Sequence, residues 1–428
     1  MIHFYHFSLL TKNIFSQCKL SHPSSIFCSF FFLVIFFFIS CAPAERFAKK
    51  EVTGIKTSEL RILLNDFSSA EYLNVESSVY LTDETNSLTE IQAGNKVNCF
   101  MDNGNISITV NGKNYIREKF FLSPADNNAT IKINGKRYRG KIQVSSSDNT
   151  IDLINIVNLE DYVKGVLARE MPLGKNNENY EALKALAVCV RTYAIRKTQD
   201  GKVYFDLYDD THDQVYGGVD AENPLSNKAA EETENLILKY QGEPALLYYH
   251  STCGGYTESS QNVFNKDFVP YLISVKDGDD PYCNISPRFQ WEEVYSKNEI
   301  INRLKNYSLL ENANYKLEDI SINSKFESGR VAEMEIKVVN DRGEQKSLLL
   351  KGNEIRSILR TSDNKNILWS TMFDLSIKSD SVVLTGKGFG HGVGFCEWGA
   401  IALSRKGWNY KDILQHYYPG TNVGNYND

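Results

Sequence analysis

The sequence predicts an α+β fold, with a mixed, β-rich core and a few packed helices. Short alternating apolar runs separated by turn dipeptides occupy the chain up to about Ile156, a pattern typical of strands joined by tight turns. Two segments with apolar residues at helical spacing follow, and strand-like patterns return beyond Asp200. With 428 residues, of which 42% are hydrophobic, the chain is long enough for two or three structural units.

The N-terminal segment has the composition of a secretory signal. No Asp or Glu precedes Glu45, Lys12 and Lys19 supply positive charge, and residues 30–39 are all apolar. The apolar run leads into Cys41 in the arrangement of a bacterial lipobox. We therefore predict a signal peptide at residues 1–41 and a lipid on Cys41 that anchors an exported protein to a membrane. The alternatives are an ordinary signal or an uncleaved anchor, although the run is short for a span of about 20 residues.

Charge excludes one class of partner. The formal net charge is -6, and acids and bases are interspersed, without a block of Lys or Arg that could neutralise a row of phosphates. We therefore expect no nucleic acid as partner. Removal of the first forty residues takes away two lysines and no acids, so membrane attachment would depend on the lipid and not on a basic patch.

Residues 42–156 are predicted to form an N-terminal β-rich region. Residues 60–64 open its series of apolar runs, and residues 106–110 are another. Asn111-Gly112 and Asn134-Gly135 separate such runs and have the composition of two-residue hairpin turns.

Two helices are predicted after this region. Asn158 can cap the first, which ends near Glu170 because Met171-Pro172 follows. The second covers residues 179–197. Both have an apolar face, so we expect them to pack into one core.

The chain from residue 157 to 428 is predicted to form a second domain, with an inserted or appended subdomain at about residues 292–380. That stretch is more polar, with a helix near residues 298–307 and a strand at residues 331–339. A strand at residues 381–384 follows. A last helix, from Ala400 to Gln415, is interrupted near Gly407.

Three blocks of sequence carry a family resemblance. They are EDYVKGVLAREMP at residues 160–172 with LKALAVCVRTYA at 183–194, HSTCGGYTE at 250–258, and GFGHGVGFCEWGA at 388–400 with ILQHYYPG at 413–420. Together they resemble the SpoIID/LytB family over about residues 60–423. Leu186 stands where the family often has Gln, and Cys396-Glu397 stand where many members have Ser-Gln.

The resemblance implies a glycan-binding groove and a place in the cell envelope, as a periplasmic lipoprotein. In the sporulation members the Glu before Met-Pro is the catalytic residue of a lytic transglycosylase, and Glu170 matches it. Such an enzyme would cleave MurNAc-GlcNAc bonds, preferably in strands without stem peptides, and give 1,6-anhydro products. Other members enhance an N-acetylmuramoyl-L-alanine amidase, so a non-catalytic glycan-binding module is the alternative. A purely structural envelope lipoprotein is a third hypothesis.

The chemistry of Glu170 can also be considered without the family. Cleavage of a glycosidic bond needs a carboxylic acid that is protonated when substrate binds. The negative end of a helix disfavours the charged form, by only about 0.3 to 1 kcal/mol, so burial would have to supply the rest. The alternative is an exposed helix-end carboxylate paired with Arg169. For hydrolysis, Asp209, Asp210, Glu258 and Glu397 are second carboxylates by residue type.

Substrate contacts are predicted within the three blocks and the segment at residues 210–216. Glycines at every second position from 386 to 394 would let the backbone approach a flat ligand or a neighbouring strand. His391 within them can contact a sugar or serve as a structural histidine. The predicted substrate-binding residues are His391, Gly390, Gly392, His212, Gln214, Tyr216, Ser251, Tyr256 and Glu397.

No cofactor and no metal ligand are expected at this site. In clostridial sporulation members the segment matching residues 210–216 contributes His and Cys ligands to zinc, whereas Tyr208 and Asp213 stand here in the places of Cys.

The remaining cysteines leave a choice open. Export favours a disulfide between Cys253 and Cys283, while free thiols or a zinc site with His250 are alternatives. Cys99 and Cys189 are predicted to be small core residues.

Overall fold

The computed structural model describes residues 59–65, 72–126, 130–147, 150–264 and 267–428. The predicted signal peptide, lipobox and lipidated Cys41 lie outside the described residues. The α+β fold class is confirmed, since six sheets combine with eight helices in the described ranges. None of those helices combines the length and apolar character needed to cross a membrane.

The strands and helices of the described residues have the following bounds. The strands are β1 Glu59–Leu63, β2 Tyr72–Val75, β3 Val79–Thr82, β4 Ser87–Ile91, β5 Asn95–Asp102, β6 Asn105–Val110, β7 Lys113–Arg117, β8 Phe120–Pro124, β9 Ile131–Ile133, β10 Lys136–Tyr138, β11 Lys141–Ser147, β12 Thr150–Asn158, β13 Leu207–Tyr208, β14 Leu236–Tyr240, β15 Glu243–Pro244, β16 Tyr249–His250, β17 Gln290–Ser296, β18 Tyr315–Lys325, β19 Val331–Asn340, β20 Gln345–Lys351, β21 Phe373–Ile377, β22 Ser381–Lys387, β23 Phe395–Cys396 and β24 Asn422–Asn425. The helices are α1 Leu159–Glu170, α2 Tyr180–Thr198, α3 Pro224–Glu232, α4 Ser260–Phe264, α5 Lys297–Asn306, α6 Glu354–Leu359, α7 Glu397–Arg405 and α8 Tyr410–Tyr417.

The N-terminal strands form two sheets. One has the order β13-β1-β12-β11-β8-β3-β4, and the other the order β10-β9-β2-β5-β6-β7. Both predicted turn dipeptides join neighbouring strands, with φ of 52° and 76° at Asn111 and Gly112 and of 47° and 82° at Asn134 and Gly135. These positive values are those of the tight hairpin turns that Asn-Gly favours. β13 joins the first sheet by parallel pairing with β1, so that sheet includes residues from beyond the predicted β-rich region.

Helices α1 and α2 pack into one hydrophobic core, as predicted. The Asn158 side chain caps α1 by accepting a hydrogen bond from the Glu160 backbone N–H at 2.9 Å. Arg191 on α2 is fully buried, and its guanidinium donates to both oxygens of Glu160 at 2.7 and 2.6 Å. This two-point ion pair fixes α1 against α2.

A second hydrophobic cluster occupies the C-terminal half of the chain. It extends from Trp291 to Leu384 and is built from β17 to β22 with α5 and α6. Ser296 and Glu299 form a reciprocal capping box at the start of α5. The predicted last helix is divided into α7 and α8, with Gly407 between them at φ 86°. The predicted domain boundaries at residues 156, 292 and 380 stay a prediction.

Candidate active site

Glu170 is the last residue of α1, at the point predicted from Met171-Pro172. Gly165, on the same helix, lies so close to Tyr216 that a Cβ there would be 2.4 Å from the tyrosine ring. The Tyr216 hydroxyl donates to Asn155 on β12 at 2.9 Å. The small residue therefore lets the chain around residue 216 pack against α1 and reach its C-terminal end.

The Glu170 carboxylate is held through one oxygen. The backbone N–H of Val215 donates to Oε1 at 2.7 Å, and the Tyr249 hydroxyl donates to the same atom at 3.4 Å. Tyr249 in turn accepts from Gln214 Nε2 at 3.0 Å, and Gln214 Oε1 accepts from the Tyr162 hydroxyl at 3.1 Å. Three side chains thus form a directional relay whose donors all point towards Glu170 Oε1.

The pKa of Glu170 is raised, and burial is the largest cause. The hydrogen bonds from Val215 and Tyr249 and the positive charge of Arg169 act in the opposite direction. The carboxyl is therefore held by donors and is nevertheless biased towards its protonated form. This arrangement differs from the exposed, Arg169-paired carboxylate that was the alternative.

The loop that carries Val215 is anchored by Asp213. The buried Asp213 carboxylate accepts from the Tyr193 hydroxyl at 2.7 Å and the Tyr208 backbone N–H at 2.9 Å, and it pairs with Lys197 at 2.8 Å. Tyr193 and Lys197 belong to α2. Hydrogen bonds and an ion pair therefore fix this loop to α2.

A short parallel pairing brings two distant segments together beside Glu170. β16 pairs with β23, with Tyr249 opposite Phe395 and His250 opposite Cys396. Glu397 comes directly after β23 and begins α7. The pairing therefore places the tyrosine that contacts Glu170 next to the start of the helix that carries a second carboxyl group.

Glu397 is buried and electrostatically coupled to Glu170. Burial raises its pKa well above the usual range, and the negative charge of Glu170 raises it further. Two carboxyl groups that repel in this way do not both ionise easily, so one is kept protonated. The environment favours Glu397 as the group that keeps its proton.

The other carboxylates that were candidates by type are engaged elsewhere. Glu258 is buried and accepts from the Ser259 backbone, from Asn262 and from the Ser328 hydroxyl. Asp209 and Asp210 accept from the backbone and side chain of Asn65 and line a cleft of about 410 Å³. Arg169, Val215 and Tyr216 line the same cleft, and Val215 is the residue whose backbone N–H donates to Glu170.

His391 and its flanking glycines pack against the segment before and after His250. His391 is half-buried, and its Nδ1 accepts from the Val393 backbone N–H at 3.0 Å. Burial, together with the charges of two arginines, lowers its pKa to about 3, so the ring is neutral at physiological pH. A Cβ on Gly390 would be 2.7 Å from the Cβ of His250. Close packing within the protein therefore accounts for a glycine at this position. Sugar contact by His391, Gly390 and Gly392 stays a prediction.

The remaining predicted contacts lie at different places. His212 is exposed, and its Nδ1 is 2.7 Å from Asp210, which lines the 410 Å³ cleft. Ser251 is half-buried, and its carbonyl accepts from the Trp398 backbone N–H at 3.0 Å. Tyr256 lines a second cleft, of about 510 Å³, whose lining residues are all different. The structure therefore connects Gln214 to Glu170 through Tyr249, couples Glu397 to Glu170 through its charge, and places Tyr256 in a different cleft.

The structure bears on three predictions about the cysteines: the Cys253–Cys283 disulfide, the zinc site with His250, and the core positions of Cys99 and Cys189. The sulphurs of Cys253 and Cys283 are 3.5 Å apart and unbonded, and both belong to a buried cluster with Asp277 and Cys396. His250 does not belong to this cluster, and its Nδ1 lies 3.2 Å from the Val393 carbonyl oxygen. Cys99 and Cys189 are buried in the core, as predicted.

Comparison with known proteins identifies the family. The family model SpoIID, described as stage II sporulation protein, matches residues 147–240, which include α1, α2 and the Val215 loop. Stage II sporulation protein D of Bacillus subtilis is 30% identical over 281 residues, covering 62% of this chain and 74% of that protein. The chain belongs to the SpoIID family.

Two further proteins are similar to this SpoIID-family chain. An uncharacterized protein of Brachyspira hyodysenteriae is 35% identical over 298 residues, covering 69% of this chain and 74% of that protein. The amidase enhancer of Bacillus subtilis is 32% identical over 295 residues, covering 62% of this chain and 40% of that protein. A domain of unknown function, DUF8618, matches residues 283–394, which contain the second hydrophobic cluster.

Sequence reasoning missed Tyr249 and the Val215 N–H in this SpoIID-family site. Tyr249 immediately precedes the block at residues 250–258, and that position was the available signal. A backbone N–H carries no sequence signal, because every residue except proline has one.

Proposed function

We propose that this SpoIID-family protein acts on the bacterial cell wall as a peptidoglycan lytic transglycosylase, with Glu170 as acid and base. The observation that carries the proposal is the half-buried Glu170 carboxyl, whose pKa is raised while its Oε1 is fixed by two donors. That combination suits a group that must be protonated at the start and oriented towards one bond. The names of the relatives support a cell-wall role in general.

The reaction needs only one such carboxyl group. Glu170 gives its proton to the GlcNAc O4 as the bond from MurNAc C1 to that oxygen breaks. The MurNAc 6-hydroxyl oxygen then bonds to C1, and Glu170 takes its proton. The carboxyl group is regenerated, no water is consumed, and the product is a 1,6-anhydro sugar. With Oε1 engaged by Val215 and Tyr249, Oε2 is the oxygen assigned to proton transfer.

Glu397 keeps its proton in this scheme and does not activate water. A hydrolase would need an ionised second carboxylate or an activated water molecule. Burial and the charge of Glu170 both disfavour ionised Glu397. This electrostatic arrangement favours anhydro formation over hydrolysis.

The substrate proposed is the glycan strand without stem peptides, on an exported protein anchored at Cys41. The test is digestion of purified stem-free strands with wild type, Glu170→Gln and the matched surface control Glu231→Gln, which pairs with Lys164. Wild type and control should release 1,6-anhydro products. Glu170→Gln should lose about 10² to 10⁴ of the rate, the usual contribution of a general acid or base. Absence of anhydro products from wild type would overturn the enzymatic proposal.

The second candidate is a non-catalytic glycan-binding module that enhances an N-acetylmuramoyl-L-alanine amidase. The relative named amidase enhancer, 32% identical over 295 residues, is the observation in its favour. This candidate expects Glu170→Gln to bind sacculi as wild type does, with no cleavage by either protein. It also expects both to stimulate an added amidase equally.

A further inference from the structure

Four side chains of metal-ligating type converge in the interior. The Sγ atoms of Cys253, Cys283 and Cys396 and a carboxylate oxygen of Asp277 all lie within 4.8 Å of one another. All four residues have no solvent-exposed surface. They come from three separate stretches of the chain, so the fold and not a local motif assembles them. We propose that these four side chains bind one Zn²⁺ in a closed, tetrahedral structural site.

The ligand number and spacing suit zinc. Two thiolates bound about 2.3 Å from a tetrahedral zinc lie roughly 3.8 Å apart. The Cys253 and Cys283 sulphurs, 3.5 Å apart, are close to that separation. Three sulphurs select a soft or borderline metal over Mg²⁺ or Ca²⁺, which prefer oxygen ligands. A disulfide would join only two of the three cysteines and would leave a thiol and a carboxyl group buried beside it.

Surrounding groups orient the ligands in the way expected at a metal site. The Tyr417 hydroxyl donates to Asp277 Oδ1 at 2.6 Å, and the Cys283 backbone N–H donates to Oδ2 at 2.8 Å. The Cys253 N–H donates to the Cys396 sulphur at 3.2 Å, and the Gly255 N–H lies 3.5 Å from the Cys253 sulphur. Backbone donors directed at sulphur stabilise thiolates, which are the form that binds metal.

A buried arginine adds one positive charge beside the cluster. Three thiolates and a carboxylate carry four negative charges, and Zn²⁺ neutralises two of them. Arg330 is almost fully buried and donates to the Cys253 carbonyl at 2.6 Å. Its Nε and Nη1 have no hydrogen-bond partner within the described part of the chain. A buried cation is costly when its charge is only partly compensated, here by Glu258, and an anionic zinc-thiolate centre next to Cys253 would offset that cost.

The site would connect the loop after β16 to the first turn of α7. Cys396 precedes Glu397, and Cys253 lies four residues after Tyr249. Zinc would therefore fix both sides of the β16–β23 pairing without taking part in chemistry, because four protein ligands leave no open position. This role is independent of the proposed function, since it applies equally to a protein that only binds glycan.

Metal content of the full chain, purified without chelator, tests the proposal. We expect about one zinc per chain, because a Zn²⁺ site with four protein ligands is filled by a single ion. Cys396→Ser, with the residue that many family members have at this position, should lower the zinc content at least tenfold. Cys189→Ser, which changes a buried cysteine outside the cluster, should retain it.

A second measurement covers the case in which Cys396→Ser fails to fold. Wild type exchanged with Co²⁺ should show thiolate-to-cobalt charge-transfer bands and the strong visible bands of tetrahedral cobalt. Alkylation of the denatured, unreduced protein with chelator should label Cys253, Cys283 and Cys396. Wild type without zinc, or a peptide with Cys253 linked to Cys283, would overturn the proposal. Zinc retained by folded Cys396→Ser would do so too.

Discussion

Different interactions shift the pKa of Glu170 in opposite directions. Burial raises the pKa, whereas the donors from Val215 and Tyr249 lower it. The helix end contributes less, since a macrodipole is worth only about 0.3 to 1 kcal/mol. At the residue scale, the relay through Gln214 and Tyr249 is therefore the part of the site that mutation can adjust most directly.

The change Tyr249→Phe should move the pH profile of glycan cleavage. The Tyr249 hydrogen bond stabilises ionised Glu170, so its loss raises the Glu170 pKa. The protonated acid then persists to higher pH, and the alkaline limb of kcat/KM should shift upward. Tyr295→Phe is the matched control, because Tyr295 is a buried tyrosine whose hydroxyl donates to the Arg360 carbonyl. An unchanged or lowered alkaline limb in Tyr249→Phe would contradict the assignment.

The change Glu397→Gln should preserve most of the glycan-cleaving activity. A glutamine amide has the shape of a protonated glutamic acid, and the environment of Glu397 favours the protonated form. We expect activity within about one order of magnitude of wild type, whereas loss of a general acid or base costs about 10² to 10⁴. Measured kcat/KM on stem-free strands checks this. A loss as large as that of Glu170→Gln would mean that Glu397 acts as an ionised catalytic group.

At the element scale, α1 sets the position of Glu170, and Asn158 fixes its first turn. Asn158→Ala removes the cap to the Glu160 N–H and should lower the free energy of unfolding by about 1 kcal/mol. Asn158→Ser keeps a capping oxygen and should cost much less. Urea unfolding of both variants is the measurement, and equal losses would show that the cap contributes little.

The sequence predicted α1, α2 and α5 because capping residues and apolar periodicity are local signals. The same signals did not predict β16 and β23, which are two residues long and pair across more than a hundred residues. Strands this short carry no periodicity. That pairing nevertheless determines where Tyr249 and Glu397 lie.

At the scale of the whole molecule, the described residues contain two hydrophobic clusters. Leu183 on α2 is fully buried in the first, and Ile336 on β19 is fully buried in the second. Truncation of either to alanine should cost about 2 to 5 kcal/mol.

The two truncations should act on different parts of the molecule. Ile336→Ala should speed amide hydrogen exchange mainly in residues 291–384, and Leu183→Ala mainly in α1 and α2. Hydrogen exchange followed by mass spectrometry measures both. Equal acceleration everywhere in both variants would instead indicate one cooperative unit.

The sequence by itself determined the α+β class, the long helices, the family resemblance and the place of Glu170 at a helix end. Those features depend on local periodicity, caps and motifs, which are present along the chain. Only the tertiary structure decided that Glu397 is coupled to Glu170, that Tyr249 donates to it, and that Cys253, Asp277, Cys283 and Cys396 meet. Burial and charge coupling depend on distances between segments far apart in sequence, and no local pattern encodes those distances.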